Sequence, residues 1–149
     1  MRAGVRHARR VAVALVGSLL LLAGCSRFGE ATIHIDAAEE EIVALTDELA
    51  TELELDVLRR EPLESRSRCD LPTGELGASN RVSVRAELPD LDDPLARASA
   101  VLADAGYELR PGASGAEAFG SRDGIRITVV VDEPAGLLDI DAVTGCRPY

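Results

Sequence analysis

The sequence predicts an α+β domain: an antiparallel sheet of about four strands with two helices packed on one face. Three observations carry that class. Residues Arg81-Val82-Ser83-Val84-Arg85-Ala86-Glu87-Leu88 alternate strictly between polar and apolar, which is the period of a half-buried strand. Asp123-Gly124 lies between two short β-rich runs, a strong short-range hairpin signal. Ile42, Leu45, Leu49, Leu53 and Val57 recur at steps of three and four, the spacing of one helix face.

In chain order, the first helix is expected from Asp36 to about Arg60, with Glu39, Glu40 and Glu41 in its early turns and Arg59-Arg60 near its end, each where the helix dipole favours it. Pro62 bounds it. Glu61 to Asn80, with its Pro, Gly and Ser, reads as a loop around Cys69. The alternating strand follows, buried on the side of Val82, Val84, Ala86 and Leu88. Asp93-Pro94 then opens a second helix, the aspartate as N-cap and the proline at the first helical position. Leu95, Ala98, Val101 and Leu102 make its apolar face, and Gly106 is placed to end it. Short strands are expected at Tyr107 to Arg110, Ala116 to Ser121, Ile125 to Val131 and Leu137 to Thr144, with a turn at Asp132 to Gly136.

The N-terminus is organised differently. Arg2, Arg6, Arg9 and Arg10 precede an apolar run from Val11 to Leu22, and the small pair Ala23-Gly24 follows, the layout of a secretory signal peptide. That run covers roughly 18 Å as a helix at ~1.5 Å per residue, short of the ~30 Å hydrocarbon core. Leu22-Ala23-Gly24-Cys25 resembles the lipobox of bacterial lipoproteins. The resemblance implies that residues 1–24 are removed, that the Cys25 thiol carries a diacylglycerol, and that residues 25–35 tether a single domain, 36–149, to the cell membrane from outside the cytoplasm. Two acyl chains hold durably where one holds only marginally. The flanks of Arg9-Arg10 fit a twin-arginine export signal poorly, so the general secretory route is expected. In plan the chain is similar to small actinobacterial lipoproteins. Its basic residues are all arginine, in keeping with a GC-rich genome.

Three cysteines are an odd number for an exported chain. With Cys25 lipidated, Cys69 and Cys146 remain as partners for one disulfide in an oxidising compartment.

Charge limits the partners. Removing the signal peptide takes four of the 16 bases and none of the 26 acids, which leaves 12 against 26, or −14. Such a domain repels nucleic acid and anionic headgroups alike, so its membrane partnership runs through the lipid anchor.

Catalytic chemistry finds little support. His7 leaves with the signal peptide and His34 sits in the tether, so a histidine-based triad has no rigidly held base. With the cysteines committed, no thiolate–imidazole metal site is available. Asp90-Leu91-Asp92-Asp93 begins like a calcium loop, but Pro94 follows and no glycine occupies the sixth position. Arg110 to Gly115 is glycine-rich without the lysine of a phosphate-binding loop. Carboxylates are plentiful, yet no pair is singled out as a hydrolase would need. Neither a catalytic residue nor a cofactor is expected.

Alternation does single out one surface. Asp139 and Asp141 point opposite to Leu138 and Ile140; if their strand shares the sheet of Arg81, Arg85 and Arg126, all five lie on its outer face and ion pairs form across the strands. These five residues are the candidate binding face. The expectation is a non-enzymatic, membrane-anchored binding or accessory module for another cell-envelope component. The alternative is a carrier of a lipid or small hydrophobic ligand between helices and sheet.

Overall fold

The computed structural model describes residues 33–61, 66–112 and 115–149. The segment read as a signal peptide, Cys25, most of the expected tether and Pro62 lie outside these residues.

Helix α1 (Ile35–Glu52) turns Ile35, Ala38, Ile42, Leu45, Thr46 and Leu49 inward, the stripe that the three-and-four spacing describes. Thr46 is tolerated there because its hydroxyl donates to the Ile42 carbonyl at 2.6 Å. The helix ends eight residues earlier than the expected Arg60. Leu53, Glu54 and Leu55 N–H groups bond back to the carbonyls of Leu49, Thr51 and Ala50, and Glu54 takes a left-handed φ of 52°. This is a Schellman closure made without glycine. Val57 and Arg59-Arg60 therefore belong to an edge strand, β1 (Val57–Glu61), and not to the helix.

The segment expected as a loop after Glu61 contains a hairpin, β2 (Ser67–Asp70) and β3 (Leu76–Ser79), paired antiparallel. The alternating run forms β4 (Arg81–Glu87), with Val82, Val84 and Ala86 buried. Helix α2 (Pro94–Asp104) begins as expected, the Asp93 carboxylate accepting from the Ala96 N–H at 2.8 Å, and Gly106 at φ 80° follows its end. Strands β5 (Glu108–Pro111), β6 (Glu117–Arg122), β7 (Ile125–Asp132) and β8 (Leu137–Val143) complete the chain. Asp123 and Gly124, at φ 46° and 78°, make the β6–β7 turn, both residues left-handed as a primed hairpin turn demands.

The main sheet has six antiparallel strands in the order β1-β4-β8-β7-β6-β5, with β2–β3 as a separate two-stranded sheet. The sheet therefore has more than the expected four or so strands: the five runs read from the sequence are joined by β1, hidden in the helical pattern, while β2–β3, in an apparent loop, form their own small sheet. Both helices cover one face, where Ile42, Leu45, Leu49 and Leu102 meet Val82, Val84, Ile127, Val129 and Ile140 in one buried cluster. Gly120 on β6 permits the close approach: a Cβ there would lie 3.2 Å from Leu102 and 3.3 Å from Tyr107.

The C-terminal residues strap the domain together. Cys146 is disulfide-bonded to Cys69, the pairing expected from the cysteine count. Arg147 and Ala78 exchange backbone hydrogen bonds of 2.7 and 2.8 Å, and the Ile35 N–H donates to the Pro148 carbonyl at 2.9 Å. His34, beside the start of α1, shares a 2.7 Å hydrogen bond between Nδ1 and the Tyr149 carbonyl. The strap thus joins the hairpin to the root of α1. No helix among the described residues is long and apolar enough to cross a membrane.

Candidate functional site

Since both helices pack on one side, the opposite face of the six-stranded sheet lies open. Strand parity decides what it displays. Arg81, Ser83 and Arg85 come from β4, Asp139, Asp141 and Val143 from β8, and Arg126, Thr128 and Val130 from β7. Phe119 on β6 stands opposite Thr128, and Arg59 and Glu61 on β1 stand opposite Arg85 and Ser83. All five residues singled out from the sequence therefore share this face.

Four of them are joined in pairs. The Arg85 guanidinium grips Asp139, directly across the ladder, with bonds of 2.7 and 3.0 Å. Arg81 grips Asp141 on the diagonal at 2.5 and 2.9 Å, and the Ser83 hydroxyl adds a 2.8 Å bond to the same carboxylate. Two-point contact between planar guanidinium and carboxylate fixes orientation as well as distance. Partial burial would raise the Asp141 carboxyl's pKa, but the bonds from Arg81 and Ser83 outweigh it and hold the group below the usual carboxylate range. The bond to Asp139 pushes the Arg85 guanidinium higher still. On the β1 edge, Arg59 and Glu61 pair at 2.7 Å.

The fifth residue is different. Arg126 is exposed and makes no hydrogen bond or ion pair with a described residue, although its charge helps to lower Asp141. It borders a hollow of about 490 Å³ whose floor holds Phe119, Thr128 and Val143 and whose wall holds Ser67 and Ser79 of the hairpin. A second hollow of about 540 Å³ extends toward β1 over Ser83, Arg85, Val130 and Asp139. Such volumes match those of small-ligand sites. Phe119 and Thr128 follow from the same alternation that selects Arg126, whereas Ser67 and Ser79 join the site only through the hairpin that the sequence reading leaves as loop.

A second polar cluster lies on the helix side. Glu41 on α1 accepts from the Tyr107 hydroxyl at 2.7 Å and from Arg122 at 2.5 Å, and Arg122 stacks 4.7 Å from the centre of the Tyr107 ring. Burial, then the bond to Glu41, pushes the Tyr107 phenol well up. Three more carboxylates of α1 are tied in the same manner: Asp36 and Glu39 to Arg66, Asp47 to Arg60. Glu39 also accepts from the Asn80 side chain at 2.8 Å, and the bond from Arg66 is the main cause of its lowered pKa. These are cross-braces between elements, and of their residues Asn80 alone also lines a hollow on the open face.

Arg147 is an outlier, being wholly buried. Its Nε donates to the Thr144 carbonyl at 2.9 Å, but neither terminal nitrogen has a partner, and desolvation lowers its pKa. Nothing in the sequence marks this arginine apart from the others. Asp90, Asp92 and Asp93 do not converge as metal ligands; Asp93 caps α2. Among the described residues no three His, Cys, Asp or Glu side chains gather as a metal site.

Comparison with family models, with curated proteins and with solved structures gives no match.

Proposed function

We propose that the protein is a lipid-anchored module of the cell envelope, outside the cytoplasm, that binds another envelope component through the open face of its sheet and catalyses no reaction. The observation that carries this reading is the face itself, a broad surface with its charged groups held in fixed orientation and one guanidinium left unengaged. The lipobox-like Leu22-Ala23-Gly24-Cys25 and the Cys69–Cys146 bridge support an exported, anchored location. In favour of the surface over a carrier's cavity is the space between helices and sheet, where Leu49, Leu102, Ile127 and Ile140 are at most 1% exposed and belong to one contiguous cluster.

The test places a photo-crosslinking residue at Thr128 on the open face and, separately, at Glu48 on the outer side of α1, in the full chain in its native envelope. Capture of the same envelope component from position 128 and not from position 48 is expected. Equal capture from both positions, or none from either, refutes the reading. Anchoring is checked separately: Cys25→Ser should release the protein from the membrane fraction.

A further inference from the structure

The open face is not uniform, and its unevenness defines a chemistry. Around the larger part of the face, arginines and carboxylates are already matched. In the hollow between β7, β8 and the β2–β3 hairpin one arginine stands unmatched beside the Arg81–Asp141 pair. Arg126 there has no hydrogen-bonded partner, and the hydroxyls of Ser67, Ser79 and Thr128 make no hydrogen bond with any described residue. Phe119 and Val143 supply an apolar floor beneath these groups.

We propose that this hollow binds the carboxyl-terminal end of a partner chain, with the terminal carboxylate on Arg126, neighbouring hydroxyls donating to it, and the apolar side chain of its last residue lying on Phe119. The inference rests on the reading of the open face as a binding surface and specifies what that surface takes. An unpaired planar guanidinium suits a carboxylate because two parallel N–H donors meet two oxygens. The charge of the ligand is limited by Asp141, which shares the hollow, is held in its ionised form by Arg81 and Ser83, and repels a second negative charge. A phosphate monoester, carrying about −1.5 to −2 at neutral pH, finds in Arg126 one unmatched cation among the described residues of the hollow and leaves its further charge uncompensated beside Asp141. A single carboxylate gains Arg126 and tolerates Asp141.

The experiment uses the full chain, isotope-labelled and held in nanodiscs, titrated with N-acetyl-phenylalanine, its neutral amide and phenyl phosphate while backbone amide shifts are followed. The acid should shift Ser79, Phe119, Arg126 and Thr128 and bind about tenfold or more tightly than the amide, the fold-change expected for a charge-assisted bond. Arg126→Gln should abolish the preference for acid over amide, whereas Arg97→Gln, on the helix side, should leave it intact. Equal binding of acid and amide, a preference that survives Arg126→Gln, or phenyl phosphate binding as tightly as the acid would each overturn the proposal. If the acid fails while crosslinking from position 128 still captures an envelope component, the carboxylate assignment falls and the binding-face reading stands; if both fail, both fall.

Discussion

Removing the Cys69–Cys146 bridge should lower stability substantially, and the cost follows from chain length. The two residues are 77 positions apart, so the bridge closes most of the domain into one loop. In the chain-entropy treatment a loop of that size removes about 15 cal/mol/K from the unfolded ensemble, or about 4.5 kcal/mol at 25 °C. For a domain of this size that corresponds to a melting temperature lower by on the order of 15–20 °C. The measurement is thermal unfolding of the full chain with Cys69→Ala and Cys146→Ala together, followed by circular dichroism. Hydrogen exchange on the same variant tests where the loss appears. Without the bridge, the β2–β3 hairpin is held by the Ala78–Arg147 backbone pair and by the Asn80 N–H bond to the Thr144 hydroxyl at 2.9 Å, so its amides should lose protection before those of β7 and β8. Since Ser67 and Ser79 form the wall of the hollow, the variant should also bind N-acetyl-phenylalanine more weakly while the ladder of β4, β7 and β8 stays intact. A loss below about 1 kcal/mol, or uniform loss of protection, refutes the account of the bridge as a clamp on one hairpin.

Three further outcomes are expected. Arg147→Met should raise stability by about 1–2 kcal/mol in urea titration, since an apolar chain of similar length removes two unpartnered buried nitrogens and forfeits one hydrogen bond; a loss instead would mean that those nitrogens are satisfied in solution. Gly145→Ala should cost more than about 2 kcal/mol, because φ is 67° and a Cβ would sit 2.5 Å from the Gly124 carbonyl oxygen, with unchanged thermal stability as the contrary result. Asp141 and Glu39 have folded pKa values below their unfolded ones, so the stability they contribute is complete above the unfolded value near pH 4 and is lost as pH falls through the folded values. Urea midpoints should therefore hold from pH 7 to about 5 and fall below about 4, with a shallower fall in Asp141→Asn; identical acid profiles would argue against the carboxylate's role.

What was legible in the sequence is what short-range chemistry determines. Period-two alternation located β4, and the same parity placed Arg81, Arg85, Arg126, Asp139 and Asp141 on one surface, because a strand allows a side chain only two directions. Asp93-Pro94 and Asp123-Gly124 announced a cap and a turn through backbone preferences of a few residues. The misread segments depended on partners far away in sequence. Val57 continues the helical spacing of Leu49 and Leu53, yet it is 41% exposed on a strand, since Glu54 closes the helix in a conformation usually given to glycine. Strands β2 and β3 have only four residues each and show no clean alternation of burial; their anchors, Cys146 and the backbone of Arg147, lie at the other end of the chain. The wall of the hollow was invisible for that reason, while its floor could be read from parity.

The charge distribution explains why an open, partly cationic face can exist on so acidic a domain. Carboxylates of α1 draw in Arg60, Arg66 and Arg122 from three other segments, which consumes cations on the helix side as braces. On the sheet side, Arg81 and Arg85 are consumed by β8, so the face approaches local neutrality with Arg126 as its exception. At a distance an incoming molecule meets the field of a domain at −14; within a Debye length of about 8 Å it meets Arg126. Long polyanions are repelled along their whole length for the sake of one favourable contact, so the balance opposes them. A neutral or cationic partner with a single local carboxylate gains the contact without the repulsion. Its affinity should change little as salt rises, because screening weakens the short-range attraction and, for a cationic partner, the long-range one only modestly, whereas a polyanion's weak binding should strengthen over the same range.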